Sequence, residues 1–223
     1  MPNKIVSVHN IHKFYESGHV KVHALKGVSF DLHEGDFLII KGRNGSGKST
    51  LLRQLGLLDK PDSGTIHLLD EEVIQMKEKL RAKMRLTKIG YIFQEYALLS
   101  ELTALENVML PAMLLNKKIE CEKRAHRLLS KVGMERRIKS LPNQLSGGEK
   151  QKVAIARALI NDPKVIFADE PTANLDTQAA NSVMKILKEL NKHDNHTIVM
   201  VTHEPEEEVF ANRIIHLADG KII

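Results

Sequence analysis

The 223-residue sequence predicts an α/β fold: a mostly parallel sheet with helices on both faces, an antiparallel β subdomain ahead of it and an α-helical subdomain inserted in it. Three observations carry this. Residues 37–55 run from an apolar strand through a glycine-rich loop into a helix. From residue 145 onward, short apolar runs alternate with helical periodicity, which is the pattern of parallel strands joined by crossover helices. Residues 95–141 carry helical periodicity and no strand pattern.

From the N-terminus, residues 4–9 and 27–33 alternate apolar and polar side chains and read as antiparallel strands. The polar stretch joining them contains Tyr15. Glu34-Gly35-Asp36 is a turn into Phe37–Ile40, four apolar residues that read as a buried strand. A helix begins by Thr50, and Asp59-Lys60-Pro61-Asp62-Ser63-Gly64 is a strong turn. Thr65–Leu69 reads as a strand, Glu71–Arg85 as a charged helix, and Lys88–Phe93 as a strand ending at Gln94. In the next stretch Thr103 and Glu106 have capping-box spacing, and Pro111 kinks or ends the helix they start. Residues 118–132 form an amphipathic helix closed by Gly133. Helices at 146–160, about 177–192 and from about 205 alternate with strands Val165–Ala168 and Thr197–Thr202, and a hairpin around Asp219-Gly220 closes the pattern. One domain over 1–223 is expected, with its core at about 1–94 and 142–223 and a helical subdomain at about 95–141.

Composition excludes several functions. No run of 18 apolar residues exists to span a bilayer, and the first residues lack an apolar secretory core, so a cytosolic protein is expected. The single Cys121 cannot form an internal disulfide, which fits a reducing compartment. A net charge of +5 could suggest nucleic acid, but the basic residues are scattered, there is no Trp and aromatics make up 4%. No stacking platform or basic helix is visible, and no nucleic-acid partner is expected. A mildly basic surface suits anionic lipid or a protein partner equally.

The stretch from Gly42 to Thr50, GRNGSGKST, carries G-x-x-x-x-G-K-S between strand and helix. Gly42, Gly45 and Gly47 let the backbone curl so that successive N–H groups point into one concavity, backed by the positive end of the helix dipole. Lys48 can reach β- and γ-phosphates, and the Ser49 hydroxyl can ligate Mg²⁺. Arg43, Asn44 and Ser46 contribute through their backbone. The strand Val165–Ala168 ends in Asp169-Glu170, and ligands gather at the carboxyl ends of strands in open α/β sheets. Asp169 is placed to hold Mg²⁺, directly or through water, and Glu170 to act as base or to orient a water attacking the γ-phosphate. Ser146-Gly147-Gly148, with Glu149, opens a helix with free N–H groups and a hydroxyl, a second anion site.

Together these motifs resemble, from end to end, the nucleotide-binding subunit of an ATP-binding-cassette (ABC) transporter. Residues 42–49 match the Walker A loop, 165–170 the Walker B strand and 145–149 (LSGGE) the signature. Gln94 falls at the Q-loop position, Asp176 at the D-loop and His203 at the switch histidine. Tyr15 matches the aromatic that stacks on adenine. Arg43-Asn44 departs from the usual small or proline residues, with little effect expected where the backbone is the donor.

The resemblance implies a P-loop NTPase core that hydrolyses ATP with Mg²⁺ as a head-to-tail dimer of two copies. Each ATP would lie between one copy's Walker A loop and the other's Ser146, Gly147 and Gly148. His203 would contact the γ-phosphate within its own copy. Gln94 would help coordinate Mg²⁺ and the attacking water and link the site to an integral membrane permease. Residues 98–114 and 169–176 are similar to the class covering lipoprotein release, macrolide export and the cell-division ATPase. A place at the inner face of the cell membrane is implied, as is a chain without regulatory extension. The permease would dock near Gln94 and the helical subdomain. Leu98, Leu99, Leu102, Val108, Met109 and Met113 would there form either a groove for a helix of the permease or the subdomain's own core. A transport motor, a mechanical switch that carries nothing, and a soluble ATPase acting on ribosomes or nucleic acid remain distinct readings.

Overall fold

The computed structural model describes residues 3–18, 20–115 and 118–223. Residues 1–2, His19 in the expected joining stretch and residues 116–117 in the helical insertion lie outside the described residues. The chain opens with two long strands, β1 (Lys4–Ser17) and β2 (Val20–His33), paired antiparallel. They are longer than the expected 4–9 and 27–33. The polar stretch between is strand up to Ser17 and again from Val20, and Tyr15 lies in β1 opposite Val22 rather than in a connection. Pairing across the hairpin supplies the backbone bonds that alternation alone did not announce. With β4 (Ser63–Leu68) and β5 (Glu71–Glu72) they form a sheet ordered β2-β1-β4-β5. The helix expected over Glu71–Arg85 is corrected here. Glu71 and Glu72 pair with Leu68 and His67, and the helix α2 runs over Glu78–Lys88.

The second sheet has the order β10-β9-β3-β8-β7-β6. Strands β3 (Phe37–Lys41), β6 (Ile89–Ile92), β7 (Val165–Asp169), β8 (Thr197–Thr202) and β9 (Arg213–Ala218) are mutually parallel; β10 (Lys221–Ile222) folds back on β9. The unbroken apolar runs at 37–40, 165–168 and 198–201 are explained by burial on both faces. Phe37, Ile39, Ile166, Ala168, Ile198 and Met200 face one core, shared with α5 (Gly147–Leu159), α6 (Thr177–Asp194), α3 (Ala104–Met113) and α4 (Lys118–Lys131). Leu38, Ile40, Val165, Phe167, Val199 and Val201 face the other, shared with α1 (Lys48–Leu55) and the antiparallel sheet.

In the helical block, Thr103 and Glu106 form the expected capping box on α3. Pro111 lies inside α3, which ends at Met113. The buried Asn107 stitches the preceding loop down: it accepts from Leu99 N and donates to the carbonyls of Leu99, Leu102 and Thr103. Of the apolar residues with two possible uses, Val108 is core, and Leu98 and Met109 pack against it, whereas Leu99 and Met113 are exposed. The helix expected from about residue 205, after β8, is a 3-10 helix over Pro205–Phe210.

Candidate functional site

Strand register brings the distant motifs to one edge. Lys41 pairs with Thr202, Asp169 with Val201 and Ile92 with Ala168. The glycine loop after β3, the carboxylates ending β7, His203 after β8 and Gln94 after β6 therefore leave the sheet at the same end. A cavity of about 610 Å³ lies there, lined by Asn44, Gly45, Gly47, Lys48, Ser49, Thr50, Glu170 and Tyr15.

The loop is locked to its surroundings. Gly42 stands against β9: a Cβ on it would meet the carbonyl oxygen of Leu217 at 2.1 Å. Gly47 caps α1 with φ of 102°, a region glycine enters without penalty. Ser46 N donates to Arg43 O at 3.1 Å, and Gly220 N donates to Ser46 O at 3.0 Å. The Lys48 ammonium, at the buried floor, donates to the carbonyls of Gly42 at 2.9 Å and Arg43 at 3.2 Å. That uses two of its three protons and leaves one for an anion. The Arg43 side chain is exposed and lines none of the cavity.

At the carboxylate end, Ser49 Oγ donates to Asp169 Oδ1 at 2.9 Å. Burial, reinforced by the neighbouring Glu170, raises the Asp169 carboxyl above its ordinary value, and the Ser49 bond opposes that rise only in part. Two hard oxygens side by side, one of them on a carboxylate, fit Mg²⁺, which takes one or two protein oxygens and completes its shell with phosphate and water. Glu170 adopts φ of 42°, an unusual conformation for a non-glycine residue, and its N–H donates to Val201 O at 3.1 Å. His203 bridges two carboxylates, with Nδ1 3.5 Å from Glu170 Oε2 and Nε2 3.1 Å from Glu204 Oε1.

Tyr15 lines the open side of the cavity with its hydroxyl donating to Asp59 at 3.0 Å, and burial raises its pKa. Residues not anticipated from the sequence complete the wall: Val22, His23, Ala24 and Lys26 from β2, and Asp219 and Gly220 from the last hairpin. The only sequence signal was the Asp-Gly turn. The rest needed tertiary pairing, seen in the bond from Lys26 N to Gly220 O at 2.8 Å.

Ser146, Gly147, Gly148, Glu149 and Asp176 do not line this cavity and form a second cluster. Ser146 caps α5, its Oγ accepting from Glu149 N while the Glu149 carboxylate accepts from Ser146 N at 2.8 Å and from Arg137 Nε at 3.2 Å. The Glu149 carboxylate is thus used in capping, and the anion-facing capacity lies with the Gly147 and Gly148 amides and the Ser146 hydroxyl proton. Asp176 caps α6 by accepting from Ala179 N at 2.8 Å. A Cβ on Gly148 would touch Ala179, and one on Gly147 would touch Tyr96 and Leu175, so both helix starts and the turn after Gln94 pack as one unit. Gln94 itself is exposed, its carbonyl accepting from Asn174 Nδ2 at 3.5 Å. Among the described residues no helix is long and apolar enough to cross a membrane.

Residues 25–173 match the family model described as ABC transporter. The chain is 44% identical over 219 residues to the macrolide export ATP-binding/permease protein MacB of Chlorobaculum tepidum, covering 98% of this chain but 34% of that protein. The chain thus spans about a third of that relative's length. It is 46% identical over 203 residues to the lipoprotein-releasing system ATP-binding protein LolD of Cytophaga hutchinsonii, covering 91% of this chain and 93% of that one. Among solved structures, an ATP-binding cassette captured as a dimer after hydrolysis with ADP and Pi superposes with a TM-score of 0.91 at 42% identity, covering 98% of this chain and 96% of that one.

Proposed function

The chain belongs to the ABC transporter family as an ATP-hydrolysing domain, and from that premise we propose that two copies close head to tail on ATP and drive a separate membrane permease of the lipoprotein-release or macrolide-export class. The observation that carries the reading is the division of the chemistry. The cavity is lined by Lys48, by Ser49, whose hydroxyl is bonded to Asp169 behind it, and by Glu170, while the free helix-start amides of Gly147 and Gly148 lie outside it. Each cluster lacks what a second copy's other cluster supplies. The dimeric relative with ADP and Pi supports this arrangement.

In this reading residues 42–50 cradle the phosphates, with Lys48 donating its remaining proton to the β/γ oxygens. Ser49 and Asp169, with Gln94, would hold Mg²⁺. A metal held by these residues would supply neutralisation of the charge that builds on the transferring phosphoryl group. Glu170 takes the proton from a water whose oxygen bonds to the γ-phosphorus as the bond to the β–γ bridging oxygen breaks, leaving ADP and phosphate. His203, close to Glu170, donates to a γ-phosphate oxygen. Tyr15 offers its ring face to adenine. Ser146, Gly147 and Gly148 of the second copy complete the oxygen shell, and Asp176 fixes the neighbouring turn. Residues 1–223 act as one ATPase domain, with about 95–141 as its helical subdomain at the inner membrane face. The groove of about 310 Å³ between α2, β6, α3 and α5, with Leu86, Tyr91 and Pro111 in its wall, supports permease docking on this side.

The test is light scattering on the Glu170→Gln protein with and without Mg-ATP. A shift from monomer to dimer on ATP is expected. A monomer throughout, with ATP binding demonstrated, overturns the shared-site reading.

A further inference from the structure

The turn after Gln94 is held in an unusual way. Tyr96 and Ala97 both lie in the left-handed region, with φ of 62° and 49°, where neither side chain is at ease. Such a pair persists only where surrounding contacts over-determine it. Backbone bonds within the turn, Tyr96 N to Phe93 O at 3.3 Å and Ala97 N to Glu95 O at 2.6 Å, supply part of those contacts, and one side chain grips both strained carbonyls. Arg157, in the last turn of α5, donates Nη2 to the Tyr96 carbonyl at 2.7 Å and Nη1 to the Ala97 carbonyl. Its planar fork matches two successive carbonyls as it would match the two oxygens of a carboxylate.

Arg157 is also an expensive residue to keep there. Burial lowers the pKa of its guanidinium. Among the described residues no carboxylate lies within ion-pair distance of it. A half-buried cation on the wall of the α2–β6–α3–α5 groove, whose partners are two neutral carbonyls, is a poor device for stability, because an apolar side chain could fill the same space without the desolvation cost. The same turn touches α5 at its other end, where the Tyr96 hydroxyl sits 2.9 Å from the place a Gly147 Cβ would occupy. The Gln94 turn is therefore strapped to both ends of the helix that starts with the second anion cluster.

We propose that Arg157 is the positioning residue for Gln94: it fixes the strained Gln94–Ala97 turn to α5, so that Gln94 moves with the helix whose N-terminus meets the second copy's nucleotide. This rests on Gln94 acting at the metal and water, as proposed above. Arg157 touches neither nucleotide nor metal, so its loss leaves one-copy ATP binding intact and lowers turnover.

The experiment compares Arg157→Lys, Arg157→Met, Gln94→Ala and the Arg157→Met/Gln94→Ala double variant of the full chain. ATP affinity, kcat, KM and thermal midpoint are measured for each. The expected result is ATP affinity within about twofold for both Arg157 variants, kcat lowered at least about tenfold in Arg157→Met, and partial recovery in Arg157→Lys, whose ammonium reaches the carbonyls without the fork. The double variant is expected to be no slower than the slower single variant, since both changes disable one device. Multiplicative losses in the double variant, or unchanged kcat in Arg157→Met while Gln94→Ala is slow, overturn the proposal and leave the Gln94 assignment standing. Unchanged kcat in Gln94→Ala instead refutes that assignment itself, and the proposal with it. Should Arg157→Met not fold, Arg157→Lys decides alone: kcat equal to the parent, or ATP affinity lost with it, overturns the proposal.

Discussion

Gly42→Ala tests the architecture of the phosphate loop directly. The new methyl carbon would lie 2.1 Å from the Leu217 carbonyl oxygen and 2.6 Å from Ser46 Oγ. A carbon–oxygen contact needs roughly 3.3 Å, so loop and strand must separate by about 1 Å. Ser46 can rotate away, but Leu217 cannot, because its oxygen belongs to β9, hydrogen-bonded to β3 on one side and β10 on the other. Overpacking of this kind costs about 1–3 kcal/mol, which in a chain of this size lowers Tm by about 2–12 °C. The yielding side is the loop, and moving it pulls the carbonyls of Gly42 and Arg43 off the Lys48 ammonium. ATP affinity is therefore expected to fall by about tenfold or more, equivalent to ~1.4 kcal/mol. Thermal unfolding without nucleotide and isothermal titration with ATP measure the two effects separately. Arg43→Ala is the contrast: its side chain is exposed and off the cavity, and ATP affinity is expected to stay within about threefold. A Gly42→Ala protein that melts with the parent and binds ATP within about twofold of it would refute the close approach as the reason for glycine here.

Asp169→Asn separates stability from metal binding. A carboxyl whose folded pKa is raised makes the native state bind more protons than the unfolded one, so stability falls as pH rises from the unfolded value of 3.8 through the folded value. Without metal and nucleotide at pH 7, the Asn protein is expected to melt higher than the parent and to lose the stabilisation that Mg-ATP confers; an Asn protein melting lower at pH 7 reverses the sign. Ser146→Arg removes the α5 cap, at about 1 kcal/mol and roughly 2–4 °C in Tm, and blocks the second anion cluster. ATP binding to a single copy is expected to survive while turnover disappears, and equilibrium titration showing lost monomer binding would put that cluster in the wrong site.

The parallel core was legible because its strands are buried on both faces, which forces unbroken apolar runs such as FLII and VIFA. The first hairpin was half legible. Its outer half alternates nothing recognisable: His12 faces Lys26, Phe14 faces His23 and Glu16 faces Lys21, so the stabilisation lies in pairs that only the register creates. Glu71 and Glu72 read as helix because two acids in a charged run favour neither state, and pairing with β4 decided it. In the site, glycine spacing and the paired carboxylates picked out residues that the sheet does bring to one edge, because phosphate and metal chemistry restricts what can stand in such motifs. Arg157 was invisible for the opposite reason. Arginine is an ordinary helix residue, and its two acceptors are carbonyls of Tyr96 and Ala97, which no side-chain pattern encodes.

The phosphate loop is finished from behind by the closing hairpin. Gly220 holds Ser46, Lys26 holds Gly220, and the Leu217 carbonyl sets the height of Gly42. A ribosome that has delivered the loop has not yet delivered its support, and at about 5–20 residues per second the wait is roughly ten seconds or more. Throughout that interval the nascent loop has no backing and cannot hold nucleotide in the geometry described here. Nucleotide therefore meets a supported loop only after β9 and the hairpin beyond it have emerged, and a translation product stalled before β9 lacks the backing the loop needs.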